Sequence, residues 1–189
     1  MKILRWCAAF LVLVTGLVSC SNSKDDKPDV IGSIAFAPCP EPSGAAPARG
    51  GLPDLTLTCL NRSGTTFQLN QPIGVPMVVN LWASWCPPCG KELPAFQRLS
   101  DDTQGKLVVL GVVTEDEVKG AVGAATDIGL TFPNVYDRSG ELRRELGRTG
   151  LPVTVFVDAQ GQVKHVYNGA PLADESLRAL VREHLAIEA

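Results

Sequence analysis

The sequence predicts an α/β domain, a central mixed β-sheet with helices on both sides. Three observations carry this reading. Strand-like and helix-like stretches follow one another from residue 55 onward in the order β-β-β-α-β-α-β-α-β-β-α. Residues 76–83 form an almost continuous apolar run, as a central strand buried on both faces requires. Leu93, Phe96 and Leu99 then recur at every third position after the Pro87-Pro88 pair, marking an amphipathic helix whose first turn begins near Cys86.

Taken in order, residues 55–60 and 66–69 read as an N-terminal β-hairpin around the turn-forming Asn61-Arg62-Ser63-Gly64. The strand over 76–83 carries one polar anomaly, Asn80. After the helix at Cys86, residues 106–113 are a second buried strand and 115–129 a second helix with small residues at 120–125. Residues 132–136, 153–157 and 162–167 are further strands, with a short helix near 140–147. Residues 174–187 close the chain, with Leu177, Leu180, Val181 and Leu185 on one helical face.

Ahead of this domain the chain has a different character. Lys2 and Arg5 form a basic head, and residues 8–18 are apolar except for Thr15 and Gly16, a run too short to span a bilayer comfortably. That is the core of an export signal. The run ends in Leu17-Val18-Ser19-Cys20, which resembles the bacterial lipobox, where the cysteine is lipidated and becomes the first mature residue. The alternative is an ordinary signal cleaved nearby, with Cys20 left as a thiol. Residues 1–19 are thus expected to be a lipoprotein signal, 20–51 a tether and 52–189 the folded domain. The tether is rich in Ser, Asp, Lys, Pro, Gly and Ala, but Ile31, Ile34, Phe36 and Cys39 lay its second half against the domain. The expected location is the outer face of the cell membrane, through the lipid anchor.

The 189-residue chain has 17 basic and 20 acidic side chains, a formal charge of −3. Loss of Lys2 and Arg5 with the signal leaves 15 against 20, or −5. No positive field exists to hold a phosphate backbone, so nucleic acid is not an expected partner.

The chemistry sits in Trp85-Cys86-Pro87-Pro88-Cys89. Two cysteines three positions apart at a helix start can close a small disulfide ring, and the first points outward, where the helix dipole stabilises its thiolate. Cys86 is therefore the expected nucleophile and Cys89 the resolving thiol. Pro87 and Pro88 suit a first helical turn but remove two donors that would otherwise stabilise the sulfur, which leaves more to Cys89. The Cys86 pKa is expected below the free value of about 8.5, short of the extreme low end of about 3.5. A zinc site needs two further ligands, and Cys39, Cys59, His165 and His184 form no close-spaced pair, so no metal is expected. A purely structural bridge is the other reading of the two cysteines, and the flanking Trp82 and Trp85 favour a reactive site over it.

The stretch Asn80-Leu81-Trp82-Ala83-Ser84-Trp85-Cys86-Pro87-Pro88-Cys89, with Glu92, Pro94 and the later Gly150-Leu151-Pro152-Val153-Thr154, resembles the TlpA/ResA group of thioredoxin-fold redoxins over residues 52–185. The resemblance implies a three-layer thioredoxin-like fold with the hairpin as an N-terminal extension. It implies that Pro94 kinks the active-site helix, and that Pro152 is a cis proline facing the redox cysteines. The groove beside Pro152 would receive a partner's cysteine segment, lined by Trp85, Pro87 and Pro88, with Leu151 offering backbone hydrogen bonds. Asn80 departs from thioredoxin itself, which has a buried aspartate there. The resemblance gives Glu92 the role of modulating thiol acidity; a first-turn acid complementing the helix dipole is the alternative.

The implied activity is thiol-disulfide exchange with cysteine-containing exported proteins, through the Cys86–Cys89 disulfide and with no other cofactor. The resemblance favours reduction, as in cytochrome c maturation on apocytochrome c, with electrons from a membrane thiol transporter. Disulfide formation in exported proteins is the competing direction. A thiol peroxidase is disfavoured by Ala83, which puts no hydroxyl three residues before Cys86. A metal carrier is disfavoured by the cysteine spacing. Cys39 and Cys59, 20 positions apart and outside the cytoplasm, are expected to pair as a structural disulfide, the alternative being a second redox relay. His165 and His184 lie beside no motif and suit packing or surface roles; Arg143, Arg144 and Arg148 form a basic patch, a solvated helix face or a dock for an acidic partner.

Overall fold

The computed structural model describes residues 36–61 and 64–188. The signal over 1–19, the lipidation at Cys20, Ile31 and Ile34 of the tether, and Arg62 and Ser63 of the hairpin turn lie outside the described residues. The elements are β1 (Thr56–Cys59), β2 (Thr66–Gln68), β3 (Met77–Trp82), α1 (Pro87–Asp102), β4 (Val108–Thr114), α2 (Val118–Asp127), β5 (Asn134–Asp137), α3 (Glu141–Glu145), β6 (Val153–Val157), β7 (Val163–Tyr167) and α4 (Asp174–Leu185). This is the order read from the sequence. The architecture is the thioredoxin-like mixed sheet flanked by helices.

The strands form one sheet in the order β2-β1-β5-β4-β3-β6-β7. β3, β4 and β5 are parallel neighbours, while β6 pairs antiparallel with β3 and β7 with β6, and β1 pairs antiparallel with β5 and β2 with β1. β3 lies between β4 and β6 with all six residues buried, which explains its continuous apolar run. Alternate residues feed opposite faces. Val78, Trp82, Val109, Val113 and Phe156 meet α1, α2 and α4, whereas Met77, Val79, Leu81, Leu110, Val112 and Val155 meet Leu142 of α3. Burying each of these side chains contributes about 1.5 to 3 kcal/mol.

Residues 36–51 lie along the domain, with Phe36 in the cluster on the α1 face and Cys39 against the cluster on the α3 face. Phe36 is buried, the Ala37 amide donates to the Thr131 carbonyl, Ser43 bonds the Pro72 carbonyl, and Gly51 bridges to Gln162.

Helix ends differ from the periodicity where the backbone turns left-handed. α2 begins at Val118 instead of 115 because Glu115 takes a φ of 50°, and it stops before Gly129, with a φ of 69°. α4 stops at Leu185 instead of 187 because Ala186 has a φ of 54°.

Candidate active site

Cys86 is the N-cap of α1, with φ −100° and ψ 96°, and its Sγ accepts the Cys89 amide at 3.2 Å. Pro87 and Pro88 fill the first turn, where amides have no acceptor within the helix. The two cysteines are bonded, with Cα atoms 5.3 Å apart. In this closed ring Cys86 is only 5% exposed and Cys89 fully buried, which corrects the expectation that the first sulfur points outward. The N-cap geometry turns the Cys86 side chain back over the helix end toward the Cys89 amide, and the ring holds it in the apolar cluster of Trp82, Ala83 and Leu93. Trp85, Pro87 and Pro88 stay exposed around it, Trp85 at 57%.

The loop before α2 holds the approach to the cysteines. The Trp85 Nε1 donates to the Glu115 carbonyl at 2.8 Å. Asp116 accepts from the Ser84 amide at 2.5 Å, from its hydroxyl at 2.9 Å and from the Glu117 amide at 2.8 Å. The Arg143 guanidinium bonds Glu115 Oε2 at 2.6 and 3.0 Å, so this member of the basic patch is already paired. A cavity of about 420 Å³ lies beside Trp85, lined by Glu115, Asp116, Glu117, Arg138 and Ser139.

Opposite this loop, the Leu151–Pro152 peptide is cis. Leu81 pairs with Val153 across β3 and β6, so the register carries Pro152 to the end of β3 from which the Cys86 loop departs. Pro152 is buried and Leu151 half-buried, and Leu151 packs against the cluster that contains both cysteines. The Asn168 Nδ2 donates to the Pro152 carbonyl at 2.7 Å.

Glu92 is the sixth residue of α1, so the first-turn reading of it is corrected: no acid occupies that turn. Its side chain is 1% exposed, and its oxygens accept from Asn80 Nδ2 at 2.7 Å and the Leu172 amide at 3.0 Å. Burial pushes the Glu92 carboxyl above its ordinary pKa, and the Leu172 and Asn80 hydrogen bonds pull against that shift. Glu92 lies three residues after Cys89, on the same side of the helix.

Cys39 and Cys59 are bonded, with Cα atoms 6.2 Å apart. Cys59 belongs to the cluster on the α3 face of the sheet, whereas Cys86 and Cys89 belong to the cluster on the α1 face. The sheet stands between the two bridges. His165 and His184 stack on one another, ring centroids 4.2 Å apart, with Phe156 against both. Burial and the neighbouring His184 hold His165 below the usual histidine pKa. Among the described residues no three His, Cys, Asp or Glu side chains gather as metal ligands.

Sequence reasoning missed Asp116 and Asn168. Neither sits in a motif, and each acts through a contact distant in sequence.

Comparison with known proteins agrees with this geometry. A redoxin family model matches residues 48–180. Sporulation thiol-disulfide oxidoreductase A of Bacillus subtilis is 30% identical over 159 residues, covering 82% of this chain and 93% of the relative. The thiol-disulfide oxidoreductase ResA of Geobacillus thermodenitrificans is 31% identical, covering 70% of this chain and 73% of the relative. The crystal structure of a secreted disulfide oxidoreductase of Mycobacterium tuberculosis superimposes with a TM-score of 0.61 at 25% identity, covering 69% of this chain and 96% of that one. With a mixed sheet, a cysteine pair at the head of α1 and these relatives, the chain belongs to the redoxin family, among its thioredoxin-fold thiol-disulfide oxidoreductases.

Proposed function

We propose that this oxidoreductase is a lipid-anchored reductant at the outer face of the cell membrane, acting on disulfides of exported proteins through Cys86 and Cys89 alone. Cytochrome c maturation is its setting by resemblance to the TlpA/ResA group, with electrons returned by a membrane thiol transporter. No metal or organic cofactor takes part.

The Cys86 thiolate attacks one sulfur of the partner's disulfide, forming a mixed disulfide and releasing the partner's other sulfur as a thiolate. Cys89 loses its proton and attacks the Cys86 sulfur. The mixed bond breaks, the partner's second thiol leaves, and the Cys86–Cys89 ring closes with two electrons passed to the partner. Trp85, Pro87 and Pro88 on one side and the Leu151–Pro152 segment on the other line the groove where the partner's cysteine segment lies.

One observation carries the direction: the buried Glu92 carboxylate, a turn below Cys89. A strong oxidant stabilises its reduced thiolate form. Here two prolines withhold amides from the Cys86 sulfur, leaving the Cys89 amide as its donor, and a buried acid disfavours negative charge nearby. Both weaken the thiolate and favour the disulfide, which makes the dithiol a donor of electrons.

Equilibration with a glutathione or dithiothreitol couple tests this. A potential near thioredoxin's value of about −270 mV supports the reductant, and one near about −120 mV makes the protein an oxidase. A Cys89→Ser variant incubated with exported proteins should accumulate mixed disulfides through Cys86.

A further inference from the structure

Between β7 and α4 the chain runs through residues 168–173, and the strap 168–172 is fastened at both ends. At its start Asn168 Nδ2 donates to the Pro152 carbonyl at 2.7 Å. At its end the Leu172 amide donates to Glu92 Oε2 at 3.0 Å, and the Leu172 side chain is buried in the cluster that holds Cys86 and Cys89. Between them Tyr167 Oη donates to the Ala170 carbonyl at 3.0 Å. Gly169 lies so close over that ring that an added Cβ would meet the Tyr167 hydroxyl at 2.7 Å.

The consequence falls on the Leu151–Pro152 segment. Val153 is held by its pairing with Leu81, so the sheet fixes the chain on one side of Pro152. On the other side Pro152 has no N–H with which to anchor itself, and its carbonyl is the remaining handle. Asn168 takes that handle. Its amide holds the carbonyl of the peptide after Pro152, and the strap connects that loop to Glu92 of α1.

We propose that Asn168 is a positioning residue for partner binding: by holding the Pro152 carbonyl it sets the aim of the Leu151–Pro152 backbone toward the partner's cysteine segment. Asn168 donates to Pro152 and makes no bond to either cysteine. Its loss therefore affects how a protein is held and leaves sulfur chemistry alone. The inference rests on the proposed exchange with protein disulfides.

The test is reduction of insulin disulfides by the protein, with dithiothreitol as the terminal reductant, followed in KM and kcat for wild type, Asn168→Ala and Asn168→Asp. Asp has the same shape but no amide donor. Asn168 is exposed, so both variants keep the fold, which thermal unfolding checks. Both should raise KM for insulin about fivefold, the net worth of one hydrogen bond, with kcat within about twofold. The pH midpoint of Cys86 alkylation in reduced Asn168→Ala, which adds no charge, should stay at the wild-type value. An unchanged KM in folded variants overturns the proposal, as does an equal fall in kcat or a moved alkylation midpoint in Asn168→Ala. A wild type that fails to reduce insulin at all overturns the exchange reading itself, a separate result.

Discussion

Asn80 Nδ2 donates to Glu92 Oε1 over 2.7 Å beneath the active-site helix, while Asn80 Oδ1, equally buried, has no partner among the described residues. The pair is arranged for a charged carboxylate that burial disfavours. A carboxyl with its folded pKa raised adds stability below its unfolded pKa of about 4.3, and that contribution is lost as pH rises through the folded value. In Glu92→Gln the new amide can donate to Asn80 Oδ1 once Asn80 turns over, and the new carbonyl can still accept from Leu172. The variant should be more stable than wild type by about 1 kcal/mol or more near pH 8, the gap closing toward pH 4. Urea unfolding at both pH values measures this, and equal stability near pH 8 would count against a buried charge. The same variant should lower the thiol alkylation midpoint of the reduced protein, because a neighbouring negative charge no longer opposes the thiolate.

Gly111 in β4 lies under the Asn134 side chain, whose Oδ1 accepts from Trp82 Nε1 at 2.9 Å. A Cβ at position 111 would overlap Asn134 Oδ1 and Cγ. Gly111→Ala should therefore break the Trp82 bond and strain the sheet behind the cysteines, at a cost of about 2 to 4 kcal/mol. A lowered urea midpoint with an altered near-ultraviolet signal of Trp82 is the expected result; an unchanged midpoint would show that the sheet yields.

Much of the fold was legible because its signals are local. The apolar run at Met77–Trp82, the Pro87-Pro88 start of α1 and the stripe of Leu177, Val181 and Leu185 each impose one conformation within a few residues. The cysteine pair and the Leu151-Pro152 step were legible as motifs. What escaped depends on contacts between distant parts of the chain. Asn168 meets Pro152 because β7 returns beside β6, and Asp116 meets Ser84 across 32 positions of chain. The His165–His184 stack needs the edge strand and the last helix together. Cys86 looked outward because a helix start is usually open; its burial comes from the closed ring and the Trp82 cluster.

Within that stack His165 is the group whose pKa is displaced. Burial and His184 depress the pKa of His165, Glu183 raises it and Arg148 lowers it, while Phe156 packs beside the ring. The unfolded chain, with a histidine pKa of about 6.5, binds the proton before the folded one does, so this site loses stability as pH falls from about 6.5 through the folded value. In His165→Phe the stacking area remains and the proton site is gone. The melting temperature of the variant should fall less steeply than that of wild type between about pH 7 and pH 5. Parallel slopes would mean that His165 carries no linkage.

The Cys39–Cys59 bridge closes a loop with a sequence separation of 20 and fastens the segment ahead of the hairpin to β1. In the chain-entropy account a loop of this size stabilises the fold by about 3 kcal/mol, chiefly by restricting the unfolded chain. It lies in the apolar cluster of the sheet face opposite to the one that holds Cys86 and Cys89, so a sulfur at either site would have to cross the sheet to reach the other. Replacing both cysteines in Cys39→Ser/Cys59→Ser should lower unfolding stability by about 3 kcal/mol and leave the rate of insulin reduction at the wild-type level under conditions where the variant is folded. Mass spectrometry of the wild type after mild reduction should find the Cys86–Cys89 ring open while Cys39–Cys59 stays closed. Loss of exchange activity in the folded double variant would instead make this bridge a relay, with electrons reaching it from Cys86 and Cys89 through a second molecule, since the sheet blocks direct transfer.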